Sequence, residues 1–325
     1  MDYFFDYDNK KWYYVSGDEM LKINTFLKNI KIDEKTKRYL EDIWEEIKLY
    51  IIRLQEYSPE AQNIFLKDYL IKENFNSSQL ECELYSPRIL ELYDFHFFES
   101  LNISDDKLKI LNKIVRAKDK IKGFDEFEKI RKEKNKQITY EEYVENEKYN
   151  LSGNYRKEVV WIGGKEGIEY AHHIPPKPEE IQNYISDFID FFNSKEKNDL
   201  SDPIIKAALS HAIFIKIHPF ANGNGRTARI LLNYVLKLGI NEKYNLNLKY
   251  PPLNLSKSFD LTRLSYFKKQ NEIIFKEDVD NNFAINAWIR YNILAIEEQL
   301  YYLNNRLDKY DSLLRSYKGD KIEKR

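Results

Sequence analysis

Apolar residues recur at three- and four-residue spacing along most of this chain, and this periodicity limits its fold more than any other feature. The pattern is clear from residue 39 to residue 54 and again from residue 181 to residue 192. Because an α-helix has 3.6 residues per turn, such spacing puts the apolar side chains on one face of an amphipathic helix. Only 10 glycines and 9 prolines interrupt the 325 residues. The sequence therefore predicts a mainly α protein.

One region departs from helical spacing. Residues 159–162 and 168–174 are rich in strand-forming side chains and flank a glycine-rich turn at 163–167. Pro175 and Pro176 end the second segment. This arrangement predicts a β-hairpin inserted in a helical body.

Composition narrows the setting of the protein. A formal net charge of −1 gives no overall field that would attract nucleic acid or an anionic membrane, so neither partner is expected. No apolar run reaches the roughly 18 residues needed to span a bilayer, and the first residues lack the features of a secretory signal. Cys82 is the single cysteine, which favours a reducing, cytoplasmic location. The frequency of Lys, Asn, Ile and Tyr suggests a bacterial genome rich in A and T.

The segment from Asp202 to Gly239 carries the strongest local signals. Asp202 followed by Pro203 predicts a helix start, and Pro219 predicts that this helix ends at His218. A second helix is expected to begin after the loop 220–225 and to end near Gly239.

This loop has the features of a polyphosphate site. Gly223 and Gly225 allow backbone N–H groups to converge on an anion, and the following helix adds the positive end of its dipole. Arg226 and Arg229 lie three residues apart, where two guanidinium groups can bind phosphate oxygens. His218, with an ordinary pKa of about 6.5, can accept a proton from a hydroxyl at neutral pH.

Residues His218 to Arg229 read HPFANGNGRTAR and resemble the signature of the Fic family, H-x-F-x-D/E-G-N-G-R-x-x-R. Tyr155 and Arg156, the segment 160–164 and the Pro175–Pro176 step are similar to its flanks. The resemblance covers roughly residues 138–300. It implies a Fic-type helical bundle with a β-hairpin flap, and the transfer of AMP from ATP, with Mg²⁺, to a Tyr, Thr or Ser hydroxyl of a protein, which could be the chain itself.

The resemblance also implies roles for individual residues. His218 would be the general base, and the hairpin would align the target by adding a strand to its edge. Asn222 stands where the family usually has an acidic metal ligand, so weaker Mg²⁺ binding is expected. The implied ATP-binding residues are Gly223, Asn224, Gly225, Arg226 and Arg229, and the implied flap residues are Val160, Trp161, Ile162 and Gly163.

Residues 77–82 allow two interpretations. Ser78 and Glu81 have the spacing of a helix capping box. The same stretch resembles the inhibitory motif S/T-x-x-x-E-G/N of Fic proteins, with Ser77 and Glu81 at the matching positions. The resemblance then implies that Glu81 pairs with Arg229 at the γ-phosphate position.

The predicted organisation has three parts: an N-terminal helical region at 1–105, the Fic domain at 106–300, and a C-terminal helix with a charged tail at 301–325. The helices after Phe283 are expected to pack on the core, and a role in a homodimer stays open. Alternative functions are the transfer of UMP or phosphocholine, the removal of AMP, and nucleotide binding with little turnover.

Overall fold

Helices form most of the described chain, as the periodicity predicted. The computed structural model starts with a two-stranded antiparallel sheet, in which β1 (Asp2–Asp6) pairs with β2 (Lys11–Ser16). The sequence analysis did not predict this hairpin, which precedes the helices of the N-terminal region. The described residues are 2–6, 11–16, 20–81, 90, 100, 102–116, 153–163, 168–195, 198–276 and 279–323.

The helices within the described residues are, in chain order, α1 (Ile23–Lys28), α2 (Glu34–Gln55), α3 (Pro59–Leu80), α4 (Asp105–Val115), α5 (Ile181–Asn193), α6 (Pro203–Ile217), α7 (Asn224–Lys243), α8 (Ser256–Leu261), α9 (Arg263–Asn271) and α10 (Asn282–Glu323). Short 3₁₀ turns lie at Ile168–Tyr170, Pro178–Glu180 and Asp199–Ser201.

Helices α6 and α7 form the centre of the bundle, and nearly every residue of both is buried. Around this pair lie α5 and α10 against α6, and α4 and α3 against α7. The start of α6 follows the prediction, since the Asp202 carboxylate accepts from the N–H groups of Ile204 and Ile205. The other oxygen of Asp202 accepts from the Trp44 indole at 2.8 Å, which ties α2 to this helix start.

Helix α7 continues past Gly239 to Lys243, so the prediction that it ends near Gly239 was wrong. Gly239 has a packing role instead, because a Cβ atom at this position would lie 2.2 Å from Cβ of Pro203. The missing side chain lets the start of α6 approach α7 closely. In the described part of the chain, no helix is long and apolar enough to cross a membrane.

The predicted strands at 159–162 and 168–174 are also corrected. Residues Ile168–Tyr170 form a 3₁₀ turn with Ile168 buried, and a single antiparallel bridge joins Ile162 to His173. Pro175 and Pro176 have no N–H groups, so a longer ladder could not extend through them. Most of the glycine-rich turn, residues 164–167, lies outside the described residues.

We predict that Gly239→Ala destabilises the protein. Alanine gains about 1 kcal/mol in helix propensity, but overpacking against Pro203 typically costs about 1–3 kcal/mol. Urea denaturation should therefore show a lower free energy of unfolding. Glu242→Ala, on the exposed side of the same helix, serves as the control and should leave it nearly unchanged. A stabilised Gly239→Ala variant would contradict the close approach of the two helices.

Candidate active site

His218 occupies the turn that ends α6. Its backbone is left-handed, with φ 47° and ψ 56°, and its N–H donates to the Phe214 carbonyl at 3.0 Å. This conformation is unfavourable for a residue with a Cβ atom, so the surrounding contacts must hold it. The prediction that the helix ends here, at the residue before Pro219, is confirmed.

The His218 ring is half-buried, and its Nδ1 lies 3.3 Å from the Ile215 carbonyl. Burial, together with the nearby Arg156 guanidinium, lowers the pKa of His218 to about 4. Glu81 acts in the opposite direction. At neutral pH the imidazole is therefore uncharged and has a nitrogen that can accept a proton.

The loop after Pro219 is held by Asn224. The Asn224 side chain accepts from the Phe220 N–H at 3.0 Å and donates to the Phe220 carbonyl at 2.7 Å. Phe220 itself is buried, and its ring packs against those of Tyr155 and Phe214. Asn224 therefore braces the loop in this state, and its predicted contact with phosphate stays a prediction.

Asn222 points away from this brace. Its side chain is exposed, and its Oδ1 accepts from the N–H of Gly223, the next residue. Gly223 has φ 79°, and a Cβ atom there would lie 3.0 Å from the Arg116 and Asn112 side chains. The loop thus needs glycine at 223, both for its left-handed backbone conformation and because a side chain there would crowd Arg116 and Asn112.

The two signature arginines have different surroundings. Arg226 is buried and donates to the Val115 carbonyl at the end of α4, at 2.9 Å. Arg229 is also buried, but it turns toward the end of α3. Its Nε donates to the Ser77 hydroxyl, and its Nη2 donates to the Ser77 carbonyl, both at 2.8 Å.

The remaining nitrogen of Arg229, Nη1, binds a carboxylate and a phenol. It lies 2.8 Å from Oε1 of Glu81 and 3.1 Å from the Tyr266 hydroxyl. The Tyr266 hydroxyl also lies 3.0 Å from Nε2 of the buried His211. Burial raises the pKa of Tyr266 and lowers that of His211. The phenol therefore keeps its proton and donates a hydrogen bond to the neutral imidazole.

Glu81 also lies against the first turn of α7. A Cβ atom at Gly225 would be only 2.0 Å from Oε1 of Glu81. The carboxylate therefore occupies the N-terminal end of this helix, where unpaired N–H groups and the helix dipole favour an anion. Because α3 ends at Leu80 with Glu81 as its cap residue, the capping-box interpretation of Ser78 and Glu81 was wrong: no helix begins there.

Glu73 fixes α3 to the bundle one turn before Ser77. Its buried carboxylate accepts from the Ser256 N–H and the Asn233 amide, both at 2.9 Å, and from the Ser256 hydroxyl at 2.5 Å. Burial raises the pKa of Glu73. The sequence analysis missed this residue, because a glutamate on a helix face gives no sign of the distant groups that it binds.

The four predicted flap residues lie together, before the undescribed part of the turn. Val160, Trp161 and Ile162 are partly buried, and Ile162 exchanges backbone hydrogen bonds with residues 172 and 173. Gly163 has φ 79°, and a Cβ atom there would lie 2.2 Å from the His172 ring. His173 turns inward, where its Nε2 lies 2.8 Å from the Lys216 carbonyl. Burial lowers the pKa of His173 to about 3.

The described side chains do not form a magnesium cage. No group of three or more His, Cys, Asp or Glu residues could hold a metal ion among them. The amide oxygen of Asn222 accepts a hydrogen bond from its neighbour, and the carboxylate of Glu81 binds Arg229. Cys82, beside Glu81, lies outside the described residues.

Residues 128–236 match the family model described as Fic/DOC family. This match covers only part of the chain. Over this segment it agrees with the predicted resemblance to the Fic family. The matched segment holds His218, the loop and both signature arginines, whereas Ser77, Glu81 and Tyr266 lie outside it.

Known proteins resemble the chain over the same region. It is 32% identical over 145 residues to the protein adenylyltransferase Fic of Nematostella vectensis, covering 41% of this chain and 32% of that protein. It is 33% identical over 120 residues to the protein of the same name from Drosophila mojavensis, covering 37% and 20% respectively. The chain thus spans a third or less of the length of these relatives.

A solved structure shows the shared fold. The crystal structure of a Fic family protein from Desulfovibrio desulfuricans G20 superposes with a TM-score of 0.52 at 16% identity, over 86% of this chain and 76% of that chain. The predicted helical Fic fold is confirmed.

We predict that Asn224→Ala lowers the free energy of unfolding by about 1–3 kcal/mol, because it leaves the buried N–H and C=O of Phe220 without their partners. Asn222→Ala is the matched control. It removes one exposed hydrogen bond in the same loop and should cost less. Equal losses in urea denaturation would show that Asn224 does not brace the loop.

Proposed function

We propose that this protein is a protein adenylyltransferase, which transfers AMP from ATP to a Ser, Thr or Tyr hydroxyl of a protein. One observation carries the proposal. A neutral histidine stands beside a built anion site, in which Arg229 and the first turn of α7 hold a carboxylate. The names of the relatives agree, although this chain spans only part of their length.

The chemistry requires few groups. His218 accepts the proton of the target hydroxyl, and the hydroxyl oxygen attacks the α-phosphorus of ATP. A new P–O bond forms, the bond to the β-phosphate breaks, and pyrophosphate leaves. Donors at the α7 N-terminus and the guanidinium groups stabilise the negative charge that develops on the phosphates. We expect Mg²⁺ to enter with the nucleotide phosphates rather than on a protein carboxylate, given Asn222.

Glu81 would inhibit this reaction by holding the anion site. Its carboxylate binds Arg229 at 2.8 Å and lies against Gly225. A phosphate group could therefore not occupy this position between Arg229 and Gly225 while Glu81 is there. The contacts of Arg229 with Ser77 support the same role, since they fix the guanidinium on the α3 side. Displacement of Glu81 would leave Nη1 of Arg229 for a phosphate group of the nucleotide.

Other parts of the assignment rest on the sequence alone. The target protein, the strand-adding flap, the three-part domain division and a homodimer stay proposals. A cytoplasmic location and a bacterial origin stay predictions from composition.

We predict that Glu81→Gly increases AMP incorporation strongly, about tenfold or more if the anion contact is worth about 1.4 kcal/mol or more. Removal of the carboxylate frees Arg229 for the nucleotide. Incubation with ATP, Mg²⁺ and host lysate, followed by intact-mass measurement, checks this, with auto-modification as the simplest signal. Glu81→Gln, which keeps the shape but not the charge, should give a smaller increase.

In the Glu81→Gly background, His218→Ala should abolish incorporation because it removes the base. An increment other than that of AMP would favour transfer of another group, and no increment would favour a nucleotide-binding regulator. If Glu81→Gly gives no increase over the unchanged chain, the inhibitory role is wrong.

The rate of the reaction should stay constant to lower pH than the rate of a reaction whose base is a histidine with an ordinary pKa. Burial lowers the pKa of His218 to about 4, so its neutral form persists as the pH falls through 6.5. Because Glu81 raises the pKa of His218, its loss would not move the protonation of His218 to higher pH. We expect kcat/KM of Glu81→Gly to fall only below about pH 5, with constant ionic strength and circular dichroism as controls. A midpoint near 6.5 would contradict the lowered pKa of His218.

A further inference from the structure

Backbone carbonyl groups of four residues accept hydrogen bonds from Arg156. Its Nε donates to the His218 carbonyl at 2.9 Å, and its backbone N–H donates to the Pro219 carbonyl at 2.9 Å. Its Nη1 donates to the Glu158 carbonyl at 2.9 Å, and its Nη2 donates to the Pro176 carbonyl at 2.5 Å. The residue is 4% exposed.

These acceptors belong to three separate stretches of chain. The His218 and Pro219 carbonyls form the turn that presents the imidazole. The Glu158 carbonyl comes just before the flap residues 160–163, and the Pro176 carbonyl comes just after the return segment that contains His173. A single side chain therefore connects the catalytic turn with both ends of the flap segment.

The guanidinium group suits this task. It is planar and carries five N–H donors in a fixed fork, so it can bind three carbonyl groups that face it from different directions. A lysine ammonium has one nitrogen and could not reach all three in the same geometry. The contact with the His218 carbonyl also supports the left-handed backbone of that residue, which is unfavourable without such partners.

The position of the charge has a second effect. A buried cation next to His218 disfavours protonation of the imidazole, and this adds to the effect of burial. The other charged or titratable groups that interact with His218 are Glu81, which favours its protonated form, and His173 across the flap segment. Arg156 thus affects both the geometry of the base and its ability to accept a proton.

We propose that Arg156 is a positioning residue that fixes His218 and holds both ends of the flap segment to the same turn. This inference rests on the proposed adenylyl transfer. Its consequence is that a target segment aligned by residues 160–163 is brought to a fixed place relative to the imidazole. In this role Arg156 would act through the backbone that it binds, without direct contact with the nucleotide or the target.

The test uses the full chain with Glu81→Gly as the active reference, and adds Arg156→Lys or Arg156→Gln. Arg156→Lys keeps the charge but loses the fork. We expect it to lower kcat by about 10- to 100-fold, as small misplacements of catalytic groups do. The KM for the target should increase, and the KM for ATP should change little. Arg156→Gln loses the charge as well, so the acid limb of its pH profile should move upward relative to that of Arg156→Lys.

Lys157→Gln is the matched control. It removes one positive charge from the adjacent, exposed position, and should leave kcat, KM and the pH profile unchanged. Hydrogen exchange measured by mass spectrometry provides a readout that needs no catalysis. In the Arg156 variants, exchange should increase in peptides that cover residues 156–163 and 171–176, whereas peptides from α2 should stay protected.

The outcomes separate this inference from the proposed function. If the Glu81→Gly reference is active and Arg156→Lys changes neither its kinetics nor its hydrogen exchange, the positioning role is wrong and adenylyl transfer still stands. No AMP transfer by the reference, together with local exchange changes in the Arg156 variants, overturns the transferase proposal but supports the connection between turn and flap segment. Unfolding of both variants, or faster exchange throughout the core, overturns the positioning role in favour of a general structural one.

Discussion

The buried guanidinium of Arg229 is the interaction on which the arrangement of this site depends. Only 2% of its side chain is exposed, so it has lost most of its hydration. A cation in this position is stable only with close hydrogen-bonding partners and an opposite charge. Here Ser77 and Tyr266 supply neutral acceptors, and Glu81 supplies the charge. Any state in which Glu81 leaves must offer Arg229 another anion, and the phosphate group of a nucleotide satisfies this requirement.

The end of α3 keeps a fixed position because α3 is anchored by contacts that do not involve Arg229. Glu73 binds Asn233 of α7 and Ser256 at the start of α8, and so holds the helix by its buried face. Ser77 and Glu81 follow at intervals of four residues, which places all three on the same side of the helix. The contact between Glu81 and Arg229 can therefore open through the Glu81 side chain alone, while α3 keeps its place.

Local sequence signals predicted the helices and the turn at His218, but not the contacts that join distant segments. Pro219 and Asp202 act on their immediate neighbours, so the two ends of α6 follow from adjacent residues. The positions of Glu73, Tyr266 and Arg156 depend on how helices far apart in the chain come together, and no spacing records this. Gly239 misled the prediction because glycine occurs both at helix ends and at close helix contacts, and only the facing Pro203 decides between them.

The two partners of the central ion pair differ in exposure, and this difference decides which one moves. The Glu81 side chain is 30% exposed and follows the last residue of α3, whereas Arg229 lies inside α7 and is bound by Ser77 and Tyr266 as well. Release of Glu81 exposes only its own carboxylate to water, provided that another anion takes its place beside Arg229. Release of Arg229 would break four hydrogen bonds and require a new place for a buried charge. In the proposed function, the arginine therefore stays as a fixed part of the anion site, and the glutamate is the part that an incoming phosphate would displace.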